Sequence, residues 1–151
     1  MHRLTEIKNK LEKLAKPDQT EILQRFFKTG KGQYGEGDIF LGIKVPILRR
    51  VSTRFKDLEL KDIERLLQSK IHEHRLTALF ILTHKFNSEN SDQKKEIFDL
   101  YIKNAKFINN WDLIDLSAPK ISGPYLLDKD RKILYKLAKS KNLWEKRIAI
   151  M

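Results

Sequence analysis

Trp111 and Asp115 lie four residues apart in the run Asn110-Trp111-Asp112-Leu113-Ile114-Asp115, a spacing that puts an aromatic ring and a carboxylate on one face of a helix. An indole against a sugar, with an anion beside it, is an arrangement able to stabilise a cationic transition state. Asp115 falls between Ile114 and Leu116, where a buried carboxylate without company is costly, so it calls for a cation, for water or for a chemical role. Asp112 has a simpler use. With Asn109 as N-cap it is the third helical residue, where a carboxylate complements the exposed amides and the helix dipole. Arg75 and Arg147 are suited either to salt bridges or to phosphate, because the guanidinium fork matches both.

Other chemistries find little support. The chain has no cysteine, which removes disulfides, thiolate catalysis and cysteine metal sites. His72 and His74 are two residues apart and cannot share a helix face, while His2 and His84 stand alone, so neither a metal nor another cofactor is expected. The serines lack a glycine elbow and a histidine partner. Five of the six glycines fall between Gly30 and Gly42. That loop lacks the Lys-Ser or Lys-Thr ending and the preceding strand of a phosphate loop, so it is expected to be a structural crossover.

The elements that must position these residues read as helices. Leu4, Ile7, Leu11 and Leu14 form one apolar stripe, and Ile22, Leu23, Phe26 and Phe27 form another after Pro17 and Asp18, a suitable helix start. Pro46 fits a first turn ahead of Ile47, Leu48, Val51 and Phe55. Leu60, Ile63, Leu66 and Leu67 follow, and the stretch from Leu76 to Leu82 is apolar on nearly every side, as in a central helix. Ile97, Leu100, Tyr101 and Ile108 make a further stripe, and helices close the chain near Lys129 to Ser140 and from Leu143 onward. No strand alternation stands out.

Helix pairs joined by short polar turns suggest an array of hairpins. Arg75, Trp111 and Arg147 recur at intervals of 36 residues, each near the start of a second helix, and Glu73-His74-Arg75 recurs in form as Glu145-Lys146-Arg147. This spacing predicts a row along one face, suited to a duplex backbone.

The chain is 151 residues long, with 31 basic against 20 acidic side chains, a formal charge of +11, and 40% hydrophobic residues. One domain with a real core is expected, its basic excess acting as a surface field that attracts polyanions, nucleic acid first among them. The N-terminus alternates charged and apolar residues and no stretch is long enough to span a bilayer, so a cytoplasmic protein without membrane contact is expected.

Four groups of residues together resemble the AlkD-like DNA alkylation repair glycosylases. They are Gly35-Glu36-Gly37-Asp38-Ile39-Phe40-Leu41-Gly42-Ile43 with Pro46 and Arg49; Glu73 with Arg75; Trp111-Asp112-Leu113-Ile114-Asp115; and Asn142-Leu143-Trp144-Glu145-Lys146-Arg147. The resemblance implies an all-α fold of HEAT-like helical hairpin repeats forming a curved α-solenoid. It also implies excision of cationic N3- or N7-alkylated purines from duplex DNA, from the backbone side and without flipping the base. Trp111 then matches the family's catalytic tryptophan, Asp115 its catalytic aspartate and Arg147 its active-site arginine; the 36-residue row, read separately, makes Arg75 and Arg147 the expected DNA-binding residues. Two departures accompany it. Asn110 stands where the family can have a second tryptophan. Family members also continue through further repeats, so residues 1–151 are expected to be one HEAT-like domain, either the N-terminal part of a longer one or a naturally short member. Leu143, Ile148 and Ile150 would then be partly exposed on an edge open to self-association. The competing expectations are a non-catalytic HEAT-like module that binds DNA or protein and, more weakly, an RNA-binding surface.

Overall fold

The computed structural model describes residues 2–151 and is all-α. The described residues form α1 (His2–Lys13), α2 (Pro17–Phe26), α3 (Val45–Arg54), α4 (Leu60–Leu67), α5 (His72–Ser88), α6 (Ser91–Lys103), α7 (Trp111–Asp115), α8 (Ser122–Leu126), α9 (Lys132–Ala138) and α10 (Leu143–Ile150), with 3₁₀ turns at Ala105–Phe107 and Ala118–Lys120. Extended pairing among them is confined to an isolated bridge between Ile39 and Ile71. The chain divides into two compact units, Met1–Ile81 and Leu82–Met151. No helix among the described residues is long and apolar enough to cross a membrane.

In the first unit the stripes become the core. Leu4, Ile7 and Leu11 of α1 are buried, as are Leu48 and Val51 of α3 and Ile63, Leu66 and Leu67 of α4. Pro46 sits in the first turn of α3, where its missing amide costs no hydrogen bond. The first-unit part of α5 is buried even at Thr77, whose hydroxyl donates to the Glu73 carbonyl at 2.6 Å and so meets its own need inside the helix. The α2 stripe departs from expectation, because Ile22 and Phe26 are 55% and 60% exposed. The helix ends at Phe26, and Lys28 at φ 56 turns the chain away. Of the adjacent phenylalanines only Phe27 is buried, stacked on Phe40 at 5.1 Å.

The glycine-rich segment is tied into the same unit. Gly42 has φ +85, and a Cβ there would lie 2.2 Å from the Lys16 carbonyl oxygen, so a side chain is excluded on both counts. The carboxylate of Glu73 on α5 accepts from the amides of Leu41, Gly42 and Ile43 at 2.9, 2.8 and 3.2 Å. One anion thereby satisfies three amides that no helix or strand would have partnered.

In the second unit α6 buries Ile97, Phe98 and Tyr101, and Phe98 stacks on Tyr125 at 4.3 Å. Helix α10 packs on α9, on α7 and on the Ala105–Phe107 turn. Its N-cap is Asn142, whose side-chain oxygen accepts from the amides of Trp144 and Glu145 at 2.8 and 3.2 Å. Ile148 is buried at 1% exposure, against the expectation of partial exposure, because it faces that packing; Leu143 and Ile150 are exposed.

His74, buried at the start of α5, meets the Ser69 hydroxyl at 2.9 Å through Nδ1. Burial first, and then the charges of Lys8 and Arg75, push its pKa down to about 4. The unfolded chain therefore binds a proton that the folded form refuses between about pH 4 and the ordinary histidine value of about 6.5, and stability is lost as pH falls through that window. Thermal melting followed from pH 7 to pH 4 is expected to fall, with a single-proton slope of up to about 1.4 kcal/mol per pH unit. His74→Asn, which keeps a polar atom near Ser69, should flatten the profile; an unaltered slope would assign the loss to other groups.

Candidate active site

The site lies within the second unit and begins with the cap of α7. Asn110 adopts extended backbone angles, φ −154 and ψ 160, and its side-chain oxygen accepts from the Trp111 amide at 2.8 Å. The cap is thus Asn110 and not Asn109, which is exposed. Asp112 consequently moves to the second helical position, where its carboxylate accepts from the Leu113 amide at 2.9 Å and serves the helix start. Asn110 itself is fully buried, so its side chain is not presented at the surface.

Trp111 opens α7 half-buried and Asp115 closes it half-buried, so the four-residue spacing places both on one partly open helix face. Between them Leu113 and Ile114 are fully buried and fix the helix to the unit. Arg147 comes across from α10. Its Nε donates to Asp115 Oδ1 at 2.7 Å and its Nη2 to Asp115 Oδ2 at 2.6 Å, a two-point fork between side chains 39% and 27% exposed. The hydrogen bonds to Asp115, more than its charge, raise the Arg147 pKa further above its ordinary value, against a smaller desolvation effect. The cation that Asp115 required by its place in the sequence is Arg147. The remaining guanidinium nitrogen, Nη1, has no hydrogen-bond partner among the described residues.

Beneath α7 lies a support that the sequence reading missed. Tyr101 is fully buried and its hydroxyl meets Ser117 Oγ at 2.7 Å, while Ser117 hydrogen-bonds to the Leu113 carbonyl one turn back. Burial drives the tyrosine pKa far above its ordinary value, partly countered by the Ser117 bond and reinforced by the negative charge of Asp115. A protonated phenol therefore braces the last turn of the helix that carries Asp115. The only sequence signal was Tyr101 in an apolar stripe, which speaks of packing and not of a hydrogen bond.

Arg75 departs from the predicted exposed row. It is 3% exposed and lies in the first unit, with Nη2 on Asp38 Oδ1 at 2.7 Å and Nη1 on the Ser69 carbonyl at 3.0 Å. Asp38 Oδ2 also meets His72 Nδ1 at 2.7 Å. Burial alone would raise the Asp38 pKa, but the His72 hydrogen bond and the charges of Arg75 and His72 hold it below the usual carboxylate range. Arg75 is thus a buried ion-pair member, out of reach of a surface phosphate. The equal 36-residue intervals fail because the three positions differ within their helices: Arg75 is fourth in α5, Trp111 first in α7 and Arg147 fifth in α10.

Among the described residues no group of three histidine, aspartate or glutamate side chains is placed to hold a metal ion. A family model described as DNA alkylation repair enzyme matches residues 7–151. No curated protein matches the chain.

A double-mutant cycle with Asp115→Asn and Arg147→Gln is expected to give a coupling energy on the order of 1 kcal/mol in thermal or urea unfolding, shrinking at high salt, as for a well-aligned but half-exposed pair. Zero coupling at low salt would mean that the fork does not hold α10 to α7 in solution.

Proposed function

Since the chain belongs to the DNA alkylation repair enzyme family, we propose that it is a HEAT-like repeat glycosylase excising cationic N3- or N7-alkylated purines from duplex DNA in base excision repair. Family membership supports a role in DNA alkylation repair; the glycosylase chemistry is our reading of the site. The observation that carries it is the partly open helix face that Trp111 and Asp115 share, with Asp115 oriented by Arg147.

An alkylated purine already bears positive charge, so the glycosidic electron pair can leave with the base and neutralise it without a general acid. The deficit then falls on the deoxyribose, which becomes oxocarbenium-like. Trp111 offers its π-face to that cation and Asp115 its negative charge. Water attacks the anomeric carbon while Asp115 positions it and receives its proton. Arg147 keeps the carboxylate aligned through Nε and Nη2, leaving Nη1 for a backbone phosphate beside the reacting sugar.

The closed fork also favours a second reading. A carboxylate gripped at both oxygens can be simply the tie between α7 and α10, in a non-catalytic module that binds DNA or a protein.

Excision of N7-methylguanine from duplex DNA separates the two. Asp115→Asn is expected to lower single-turnover excision by orders of magnitude while leaving duplex binding intact or slightly stronger, since it removes transition-state stabilisation and one negative charge but no phosphate contact. No excision by the parent chain, or equal rates for parent and variant, would favour the binding module.

A further inference from the structure

A second cationic site stands in the first unit, apart from the residues used above. Two adjoining cavities, of about 410 and about 150 Å³, share Lys10, Arg54 and Phe55 as common walls. The α1 side carries Arg3, Lys10 and Lys13, which recur at helical spacing along one face. The α3 side carries Arg50 and Arg54, one turn apart. Between them Leu14, Ile47, Val51 and Phe55 form an apolar floor.

The charges here are not spent equally. Arg3 lies over the Phe55 ring at 4.3 Å and is committed to Glu6 at 2.9 Å, to Asp57 at 2.7 Å and to the Arg54 carbonyl at 3.2 Å. Glu6, the single acid lining the cavities, is thus already matched. The side-chain cations of Lys10, Lys13, Arg50 and Arg54 have no ion-pair or hydrogen-bond partner among the described residues. Four uncompensated cations facing one concavity repel one another, and the low-dielectric floor strengthens that repulsion. On α2, by contrast, Arg25 meets an acid one helical turn away, Glu21 at 3.0 Å; in the cleft the one acid, Glu6, is taken by Arg3.

We propose that the cleft between α1 and α3 binds phosphodiester groups of a nucleic-acid backbone, forming a second polyanion contact that holds duplex DNA independently of base sequence. Arg50 and Arg54 supply forks to phosphate oxygens, and Lys10 and Lys13 supply point charges from the opposite wall. The arm of Arg3 is fixed against Phe55 and Asp57 and shapes the end of the cleft. This rests on the reading that duplex DNA is the substrate, to which the cleft adds a binding surface.

The test is the salt dependence of binding of an undamaged duplex to the full chain. The parent is expected to bind with a steep slope of log K against log salt, and Lys10→Ala/Arg54→Ala to lower that slope by about two units while weakening binding uniformly across sequences. Circular dichroism melts guard against unfolding; relief of repulsion should leave the melting temperature unchanged or raised. Lys13→Ala/Arg50→Ala, on the same walls, should act alike. A parent that binds duplex and excises while both variants keep the parental slope would overturn the cleft proposal alone. A parent that binds no duplex would overturn it together with the glycosylase reading. Saturable binding of inorganic phosphate or a mononucleotide that the variants lose, with the duplex slope unchanged, would assign the cleft to a small phosphorylated ligand and overturn it as well.

Discussion

The guanidinium of Arg147 grips both oxygens of Asp115, and the second unit is organised around that two-point bond. Asp115 ends a helix of only five residues. So short a helix has little stability of its own and must be held by tertiary contacts. It is held at its start by the Asn110 cap, along its inner side by Leu113 and Ile114, and at its end by Arg147 from α10 and by Ser117 on the Tyr101 hydroxyl. Each constraint fixes the carboxylate by a different route. The result is a charged group that is oriented yet partly open to solvent, which a mobile surface aspartate could not be.

The first unit meets the same electrostatic demand at greater depth. Asp38, His72 and Arg75 are almost wholly withdrawn from water, and an isolated charge there would cost several kcal/mol. They are buried as a connected set, and Glu73 beside them spends its charge on three backbone amides. The polar opening of α5 is therefore what fastens the glycine-rich crossover to the helical core. Phe27, Phe40 and His72, whose rings lie within 4.3 to 5.1 Å of one another, close the apolar side of the same joint.

These arrangements divide the chain's basic excess into two kinds. Arg75 and Arg147 are neutralised by carboxylates and act as ties. Lys10 and Lys13 on α1 and Arg50 and Arg54 on α3 are not, and they account for part of the field that a net charge of +11 implies. A count of charges cannot distinguish the two, because the same guanidinium is a ligand for phosphate in water and a structural counter-ion in the interior.

Periodicity made the helices legible: stripes such as Leu4, Ile7 and Leu11, or Ile63, Leu66 and Leu67, follow from the 3.6-residue repeat alone, and they are buried as that repeat requires. The i to i+4 relation of Trp111 and Asp115 is equally local, so their common face could be read before any fold was known. Burial of individual charges is not local. Arg75 and Arg147 occupy similar sequence contexts, yet Arg75 lies inside against Asp38 and Arg147 lies half-open against Asp115. Partners 37 and 32 residues distant decide that difference. Periodicity also cannot report whether a stripe is covered: Ile22 and Phe26 lie within α2 and yet remain outside the core. Sequence by itself determined the helical class, the paired aromatic and carboxylate, and the basic surplus. Only the tertiary structure decided which cations were consumed as counter-ions, because the cost of removing a charge from water depends on what the rest of the chain places beside it.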